Sequence, residues 1–199
     1  MHLRKWYHTA EKTHKKVHSF GLKYKPIEFH DIVHLFSAVP FYRYWNGKNH
    51  FYTTNKNEIG TTTPGTIGHY NYTFERVECL IHANQVVGSV PLYRYFQHQL
   101  LDHFYTTDAD EIGTTTRDQF GKHGYRSEGV SGYCFPLKKP DTVPLYRYRY
   151  IHSFDHLYTT EHTLLGNLKK YRPEGVTCYV YPVTGKWIRI SIIYLKKTL

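Results

Sequence analysis

The side chains best suited to chemistry in this sequence are three polar pairs that recur along the chain. They are Asn49-His50, Asp102-His103 and Asp155-His156. A carboxylate beside an imidazole suits acid–base catalysis, and the same groups can bind hydroxyls. Because neighbouring side chains of a strand point to opposite faces, the two members of a pair would not meet on a strand. The pattern therefore favours a turn in which Asp or Asn binds local backbone, with ligand contact as the alternative.

Two further features of the repeating segments suit ligand binding. Trp45 follows a predicted strand at a turn, where a planar side chain can stack on a sugar ring, and its counterparts are Phe96 and Arg149. An arginine inside each Tyr-Arg-Tyr triplet has a glutamate about thirty residues later. We expect these arginines and glutamates to form ion pairs, although the glutamates could accept hydroxyl bonds instead. The candidate ligand-binding residues are Trp45, Asn49, His50, Arg94, Asp102, His103, Glu128, Asp155 and His156.

Motifs of catalysis, cofactor binding and metal binding are not found in the sequence. There is no Gly-x-Ser-x-Gly, no phosphate-binding Walker loop and no dinucleotide fingerprint. The 15 histidines do not fall into a two-histidine helical spacing with a carboxylate, and no Cys-x-x-Cys occurs. We therefore predict a protein that is not an enzyme and that carries neither cofactor nor metal.

The elements that must position these residues recur three times, over 39–89, 90–142 and 143–182. Each copy begins with a Val-Pro strand, continues into a strand containing Tyr-Thr-Thr, and closes on a Glu-x-Val strand. Asn55 and Asp108 each precede a glutamate by three residues, which predicts a short helical turn. The third copy is shorter between Thr160 and Glu174, so we expect it to be the copy that has lost a site.

One copy cannot bury its own aromatic face, whereas three copies closed in a ring can. The sequence therefore predicts a mainly β domain over 39–182 with pseudo-threefold symmetry. A β-trefoil-like closure is favoured over a small propeller-like ring. The flanks 1–38 and 183–199 do not align with the copies and are interpreted as basic N-terminal and C-terminal extensions.

The aligned residues resemble a tyrosine-rich tandem-repeat family of unknown function. Its signature is Tyr-Arg-Tyr, then Asp-His-Phe-Tyr-Thr-Thr, then Glu-Gly-Val, and the closest matches are 102–107 and 128–130. Copy one departs from it at Asn49 and Arg76, and copy three at Leu157. The resemblance implies an extracellular or cell-surface module and supplies no catalytic residue. No secretory signal is visible at the N-terminus of this chain.

Charge argues against nucleic acid as the partner. The net charge is +10, yet residues 39–182 carry 15 Lys and Arg against 13 Asp and Glu. The basic excess lies in the flanks, where a charge run is usually a solvated tail. The apolar segment 187–195 is too short to span a bilayer, so no membrane span is expected.

Three cysteines, Cys79, Cys134 and Cys178, fall on the closing strands. Their odd number favours small buried thiols, with one disulfide as the alternative in an oxidising compartment.

The function predicted from sequence is a non-catalytic carbohydrate- or surface-binding module with up to three similar sites. Its partners would be glycans or an extracellular protein. The alternative is a structural or protein-interaction repeat domain without a small-molecule ligand.

Overall fold

The computed structural model describes residues 37–162 and 170–183. The described residues all belong to one unit of the chain, 34–199. The predicted N-terminal extension up to residue 36 and the C-terminal extension from residue 184 lie outside the described residues.

Nine strands make up the described part of the chain, which is mainly β as predicted. They fall into three strand groups of three. The strands are β1 (Ala38–Trp45), β2 (His50–Thr53) and β3 (Thr73–His82) in the first group; β4 (Val90–Gln97), β5 (Asp102–Thr106) and β6 (Arg126–Cys134) in the second; and β7 (Val143–Tyr150), β8 (His156–Thr159) and β9 (Tyr171–Val180) in the third.

The strands form two antiparallel sheets. One has six strands in the order β2-β1-β3-β6-β4-β5, and the other has three in the order β8-β7-β9. In every strand group the first strand lies in the centre, paired with the other two. Neither sheet closes on itself. The trefoil-like closure with pseudo-threefold symmetry therefore stays a prediction.

The central strands are bent by paired irregularities in register. In β1 the register shifts between Phe41 and Tyr42 and again between Arg43 and Tyr44, and β4 and β7 shift at the matching places. Such bulges break the simple alternation of faces. As a result Phe41 and Tyr44 are both buried, while Tyr42 and Arg43 are only partly so. Strict alternation would have placed Tyr42 and Tyr44 on one face.

The strand groups meet through their closing strands. The pair His82 and Tyr133 joins β3 to β6, and isolated β-bridges join Phe135 to Tyr179 and Tyr181 to Leu80. A single hydrophobic cluster lies at this junction and draws residues from all three groups, whereas three smaller clusters belong to one group each. The junction is thus the main core of the described region.

Cysteines of the second and third strand groups are joined covalently. Cys134 and Cys178 form a disulfide with a Cα–Cα separation of 6.1 Å. Cys79 is a free thiol buried in the same cluster. The buried-thiol interpretation therefore holds for Cys79 and is wrong for the other two.

The two predicted helical turns are single 3₁₀ turns, at Lys56–Glu58 and Ala109–Glu111. The side chains of Asn55 and Asp108 cap them by accepting a backbone N–H two residues later. The two glutamates do not complete a capping box, because their carboxylates leave the turn and accept bonds from threonines. Within the described residues, no helix is long and apolar enough to cross a membrane.

Candidate functional site

The three polar pairs are buried and joined to one another across the strand groups. Asp102 of the second group accepts from His156 of the third, at 3.0 Å from the backbone N and 2.7 Å from Nδ1. Asp155 accepts from the backbone N and Nδ1 of His50 in the first group, both at 2.7 Å. Asn49 closes the circuit, because its Oδ1 accepts from the backbone N of His103 at 3.2 Å and its amide N donates to Nδ1 of His103 at 2.6 Å. Each Asp or Asn thus bonds a histidine of another group.

This circuit corrects the interpretation of the pairs as turns that bind their own backbone. An Asp or Asn and the histidine next to it do not interact through their side chains in the described bonds. Their partners lie 54 or 105 residues away in sequence. We call these six residues the Asx–His ring: Asn49, His50, Asp102, His103, Asp155 and His156.

Asn49 makes the Asx–His ring electrostatically uneven. Burial, reinforced by the nearby Arg94 charge, holds the pKa of His103 well below its usual value. Burial also acts to lower the pKa of His156, but hydrogen bonds and charge from Asp102 and Glu174 outweigh it and raise that pKa to about 9. His103 is therefore neutral and His156 charged at neutral pH. An amide in place of a carboxylate contributes to this difference, because a carboxylate favours the imidazolium.

Beside the Asx–His ring, three fully buried tyrosines link the strand groups through their hydroxyls. The Tyr105 hydroxyl donates to the carbonyl of Tyr52 and accepts from the Tyr52 N–H, both at 2.8 Å. Tyr52 makes the same two bonds to Tyr158, and Tyr158 to Tyr105. The hydroxyls satisfy backbone groups of β2, β5 and β8, the outer strands of their groups, which would otherwise be buried without partners.

The predicted arginine–glutamate pairs are present, and a second glutamate from another group joins two of them, those of Arg94 and Arg147. Arg94 lies 2.7 Å from Glu128 of its own group and 3.0 Å from Glu58 of the first. Its guanidinium also stands over the ring of Phe51, 4.9 Å from the centroid. Arg147 repeats this pattern between the third and second groups, with Glu174, Glu111 and Phe104. These arginines bind neighbouring groups together.

The junction of the first and third groups uses a different carboxylate. The third copy has no counterpart of the turn glutamate among its described residues, and Arg43 instead bonds Glu78 of its own group at 2.9 Å. Glu78 also accepts from the Thr159 hydroxyl and the Thr160 N–H of the third group. Glu58 and Glu111 accept from the equivalent threonines. Glu78 thus takes over their role, which sequence reasoning missed.

A cavity of about 570 Å³ lies where the β1–β2, β4–β5 and β7–β8 turns converge. Its walls include Trp45, Leu101, Tyr150 and Tyr171, and Asp155 is among its lining residues. Tyr150 and Tyr171 contact each other, with ring centroids 5.2 Å apart. The lysines at the cavity are Lys48 and Lys170.

Burial and then the Asp155 charge raise the pKa of Tyr171 to about 12. Its hydroxyl is therefore protonated at neutral pH and able to donate a hydrogen bond in the cavity.

Only two of the nine predicted ligand-binding residues line the cavity, Trp45 and Asp155. Arg94 and Glu128 are engaged with each other, and the remaining ring residues are buried in contacts between groups. None of these residues lines the cavity, so direct ligand contact is not supported for them. Tyr150 and Tyr171 were not among the predicted ligand-binding residues. The sequence did contain one indication of Tyr150, because the third copy has an aromatic residue where the other copies have Asn46 and Gln97.

Among residues 37–162 and 170–183, no group of three or more His, Cys, Asp or Glu side chains is arranged to hold a metal ion.

The chain matches one family model in a comparison with known protein families. A family model described as a domain of unknown function (DUF5648) matches residues 2–120 and, a second time, residues 113–188. The chain belongs to the DUF5648 family. The double match fits the resemblance to a repeat family of unknown function. No curated protein and no solved structure matches the chain. The DUF5648 description names no activity, so a function has to be argued from the geometry.

Proposed function

We propose that this DUF5648 chain is a non-catalytic carbohydrate-binding module whose ligand occupies the cavity at the converging turns. The observation that carries the proposal is the combination of aromatic walls and polar groups in one cavity. Trp45 comes from the first strand group and Tyr150 and Tyr171 from the third, with Asp155 and Lys170 beside them. Concave sites with apolar walls and a few converging polar groups are where proteins bind small molecules.

Sugars fit this chemistry well. The C–H face of a pyranose packs against aromatic rings, while its hydroxyls need donors and acceptors held in fixed positions. Trp45 is braced for such stacking, because its ring lies against His50 at 4.4 Å between centroids. His50 also holds the Asp155 carboxylate in position, by donating two hydrogen bonds to it. A ligand would therefore meet side chains that are already positioned, which reduces the entropy lost on binding.

The fold proposal is a domain of three repeats related by pseudo-threefold symmetry. Its support is the recurrence of the same contacts. At each junction between two strand groups, one Tyr hydroxyl bonds a backbone N–H and C=O of the other group, and one Asp or Asn bonds a histidine. Each group also has one arginine that contacts two carboxylates. Under this proposal the cavity lies near the symmetry axis. A single site at that place replaces the three similar sites predicted from sequence.

We place the module outside the cell or at the cell surface. The Cys134–Cys178 disulfide supports this location, because structural disulfides persist in oxidising compartments. Residues 39–182 are almost balanced in charge, which favours a neutral glycan over nucleic acid as the partner.

The second candidate is a structural or protein-interaction domain with no small-molecule ligand. The burial of the Asx–His ring favours it, since most of the recurring polar residues hold the strand groups together. Under this candidate the cavity would bind no sugar.

A glycan array with the full-length protein distinguishes the two. Trp45→Ala removes a cavity wall and its contact with His50. Phe96→Ala is the matched control, because Phe96 lies on His103 at 4.5 Å in the same way but does not line the cavity. We expect selective binding by wild type and by Phe96→Ala, and loss of binding in Trp45→Ala. A blank array from folded wild-type protein would reject the carbohydrate proposal and leave the structural candidate.

A further inference from the structure

The third acceptor of the Asx–His ring differs from the other two in its surroundings. In the second group, the hydroxyl of Tyr125 donates to Oδ2 of Asp102, the same oxygen that accepts from His156. In the first group, the Asn49 amide donates to the hydroxyl of Tyr72 at 2.8 Å. In both groups the hydroxyl of a tyrosine that directly precedes the closing strand bonds the Asp or Asn side chain, as donor to Asp102 and as acceptor from Asn49.

Tyr171 is the equivalent tyrosine of the third group. It stands one residue before Arg172, which pairs with Arg149, just as Tyr125 precedes Arg126, which pairs with Phe96. Tyr171 contacts Tyr150 and lines the cavity instead. Among the described residues, the Asp155 carboxylate accepts hydrogen bonds from His50 only. Its Oδ2 therefore has one bond fewer than Oδ2 of Asp102.

The turn residues account for this difference. Asn46 and Gln97 each accept two backbone N–H groups of their own turns through the side-chain oxygen. The third group has Tyr150 at this position, and a phenol ring cannot repeat that amide bridge while it packs on Tyr171. The cavity thus lies beside the acceptor that has lost its internal hydroxyl.

We infer that a ring hydroxyl of a neutral sugar donates to Oδ2 of Asp155, in the place that the Tyr125 hydroxyl takes at Asp102. This inference rests on the proposed carbohydrate function and names the chemistry of the buried end of the ligand. The third copy, expected from sequence to have lost a site, then supplies its central polar group. Each chain binds one ligand.

The buried carboxylate of Asp155 restricts which ligands can bind. An ionised acceptor makes a stronger hydrogen bond to a hydroxyl than a neutral acceptor does. A carboxylate or sulfate next to Asp155 would be repelled by that carboxylate, whereas Lys48 and Lys170 of the same cavity would attract an anionic group elsewhere on the ligand. The inference therefore requires a hydroxyl, and not an acidic group, at Asp155.

The test compares two substitutions that are chemically identical. Asp155→Asn converts one carboxylate oxygen into an amide donor, and the chain already carries an amide at the equivalent Asn49. Asp102→Asn makes the same change at the carboxylate whose Oδ2 already accepts a hydroxyl of the protein itself, that of Tyr125. Binding of the full-length proteins is measured by saturation-transfer NMR and calorimetry. The probes are neutral monosaccharides, their monodeoxy analogues and glucuronic acid, and thermal unfolding of each variant is recorded in parallel.

We expect Asp155→Asn to weaken binding of the neutral sugar by roughly 10- to 100-fold, as for a lost hydrogen bond to a charged group, and Asp102→Asn to leave it within about twofold. One monodeoxy analogue should lose affinity for wild type but not for Asp155→Asn. Sugar binding that is unchanged in Asp155→Asn, or weakened equally in both variants, would overturn the inference while the carbohydrate function stands. No binding of any sugar by folded wild type would reject both.

Discussion

The three linked tyrosines allow a sharp test of how the strand groups are held together. Replacing Tyr105 by Phe keeps the ring in the core and removes only the hydroxyl. That hydroxyl is the partner of both the N–H and the C=O of Tyr52, at 2.8 Å each. Tyr52 is fully buried, so water cannot replace the lost bonds.

The expected cost follows from the two groups left without partners. A buried donor or acceptor that loses its hydrogen bond costs about 1–3 kcal/mol. Tyr105→Phe should therefore lower the free energy of unfolding by roughly 2–6 kcal/mol, a large part of the ~5–15 kcal/mol typical of a domain. Tyr95→Phe is the control, because its hydroxyl makes one bond, to the carbonyl of the partly exposed Thr114. For this variant we expect about 1 kcal/mol.

Urea unfolding followed by circular dichroism, with the disulfide kept oxidised, measures both variants against wild type. An equal slope of the transitions would show that the compared states are unchanged. If Tyr105→Phe and Tyr95→Phe lose the same free energy to within ~0.5 kcal/mol, the hydroxyl of Tyr105 does not satisfy the edge strand as described, and the reasoning fails.

Three further predictions concern the charges between the strand groups. Asn49→Asp should raise the pKa of His103 towards that of His156, because a carboxylate then faces the imidazole; NMR titration of the ring protons measures it. The raised pKa of His156, about 9, means that its contribution to stability is full below pH ~6.5 and is lost as pH rises through 9. Urea unfolding from pH 6 to 10, compared with His156→Gln, reveals the loss. Glu78→Gln should cost about 3–5 kcal/mol, because two arginines lose a buried carboxylate, whereas the more exposed Glu161→Gln should cost under about 1 kcal/mol.

Each of these predictions has a result that would contradict it. An unchanged His103 titration in folded Asn49→Asp would show that burial and the Arg94 charge set its pKa, whichever group faces Nδ1. A free-energy difference between wild type and His156→Gln that stays constant across pH 6–10 would mean that the Asp102 bond does not favour the charged form. Equal costs for Glu78→Gln and Glu161→Gln would remove Glu78 from the junction between the first and third groups.

Much of the local structure could be predicted from sequence. The strands follow from alternating aromatic and β-branched residues, and the 3₁₀ turns from the polar residue that caps each one. The pairing of Arg94 with Glu128 was also predictable, because both recur once per copy on strands that had to be neighbours. These features depend on residues within one strand group, whose strands follow one another along the chain and pair directly.

The contacts between groups could not be predicted in the same way. Asp102 and His103 are neighbours in sequence, yet the carboxylate bonds His156, 54 residues later. Nothing in a single copy indicates which other copy its polar groups will meet. The disulfide shows the same limit, since Cys134 pairs with Cys178 although Cys79 holds the position equivalent to Cys178.

The sequence by itself determined the strand pattern, the local turns and the residue types that recur, because these depend on steric and hydrogen-bonding preferences over a few residues. Only the tertiary structure decided that the recurring polar groups bond across the strand groups, and that Tyr150 and Tyr171 line a cavity beside Asp155. The physical reason is that burial and partner choice are set by how the groups pack. The same aspartate–histidine pattern therefore has different surroundings at Asp102, where a tyrosine completes its bonds, and at Asp155, where the cavity lies.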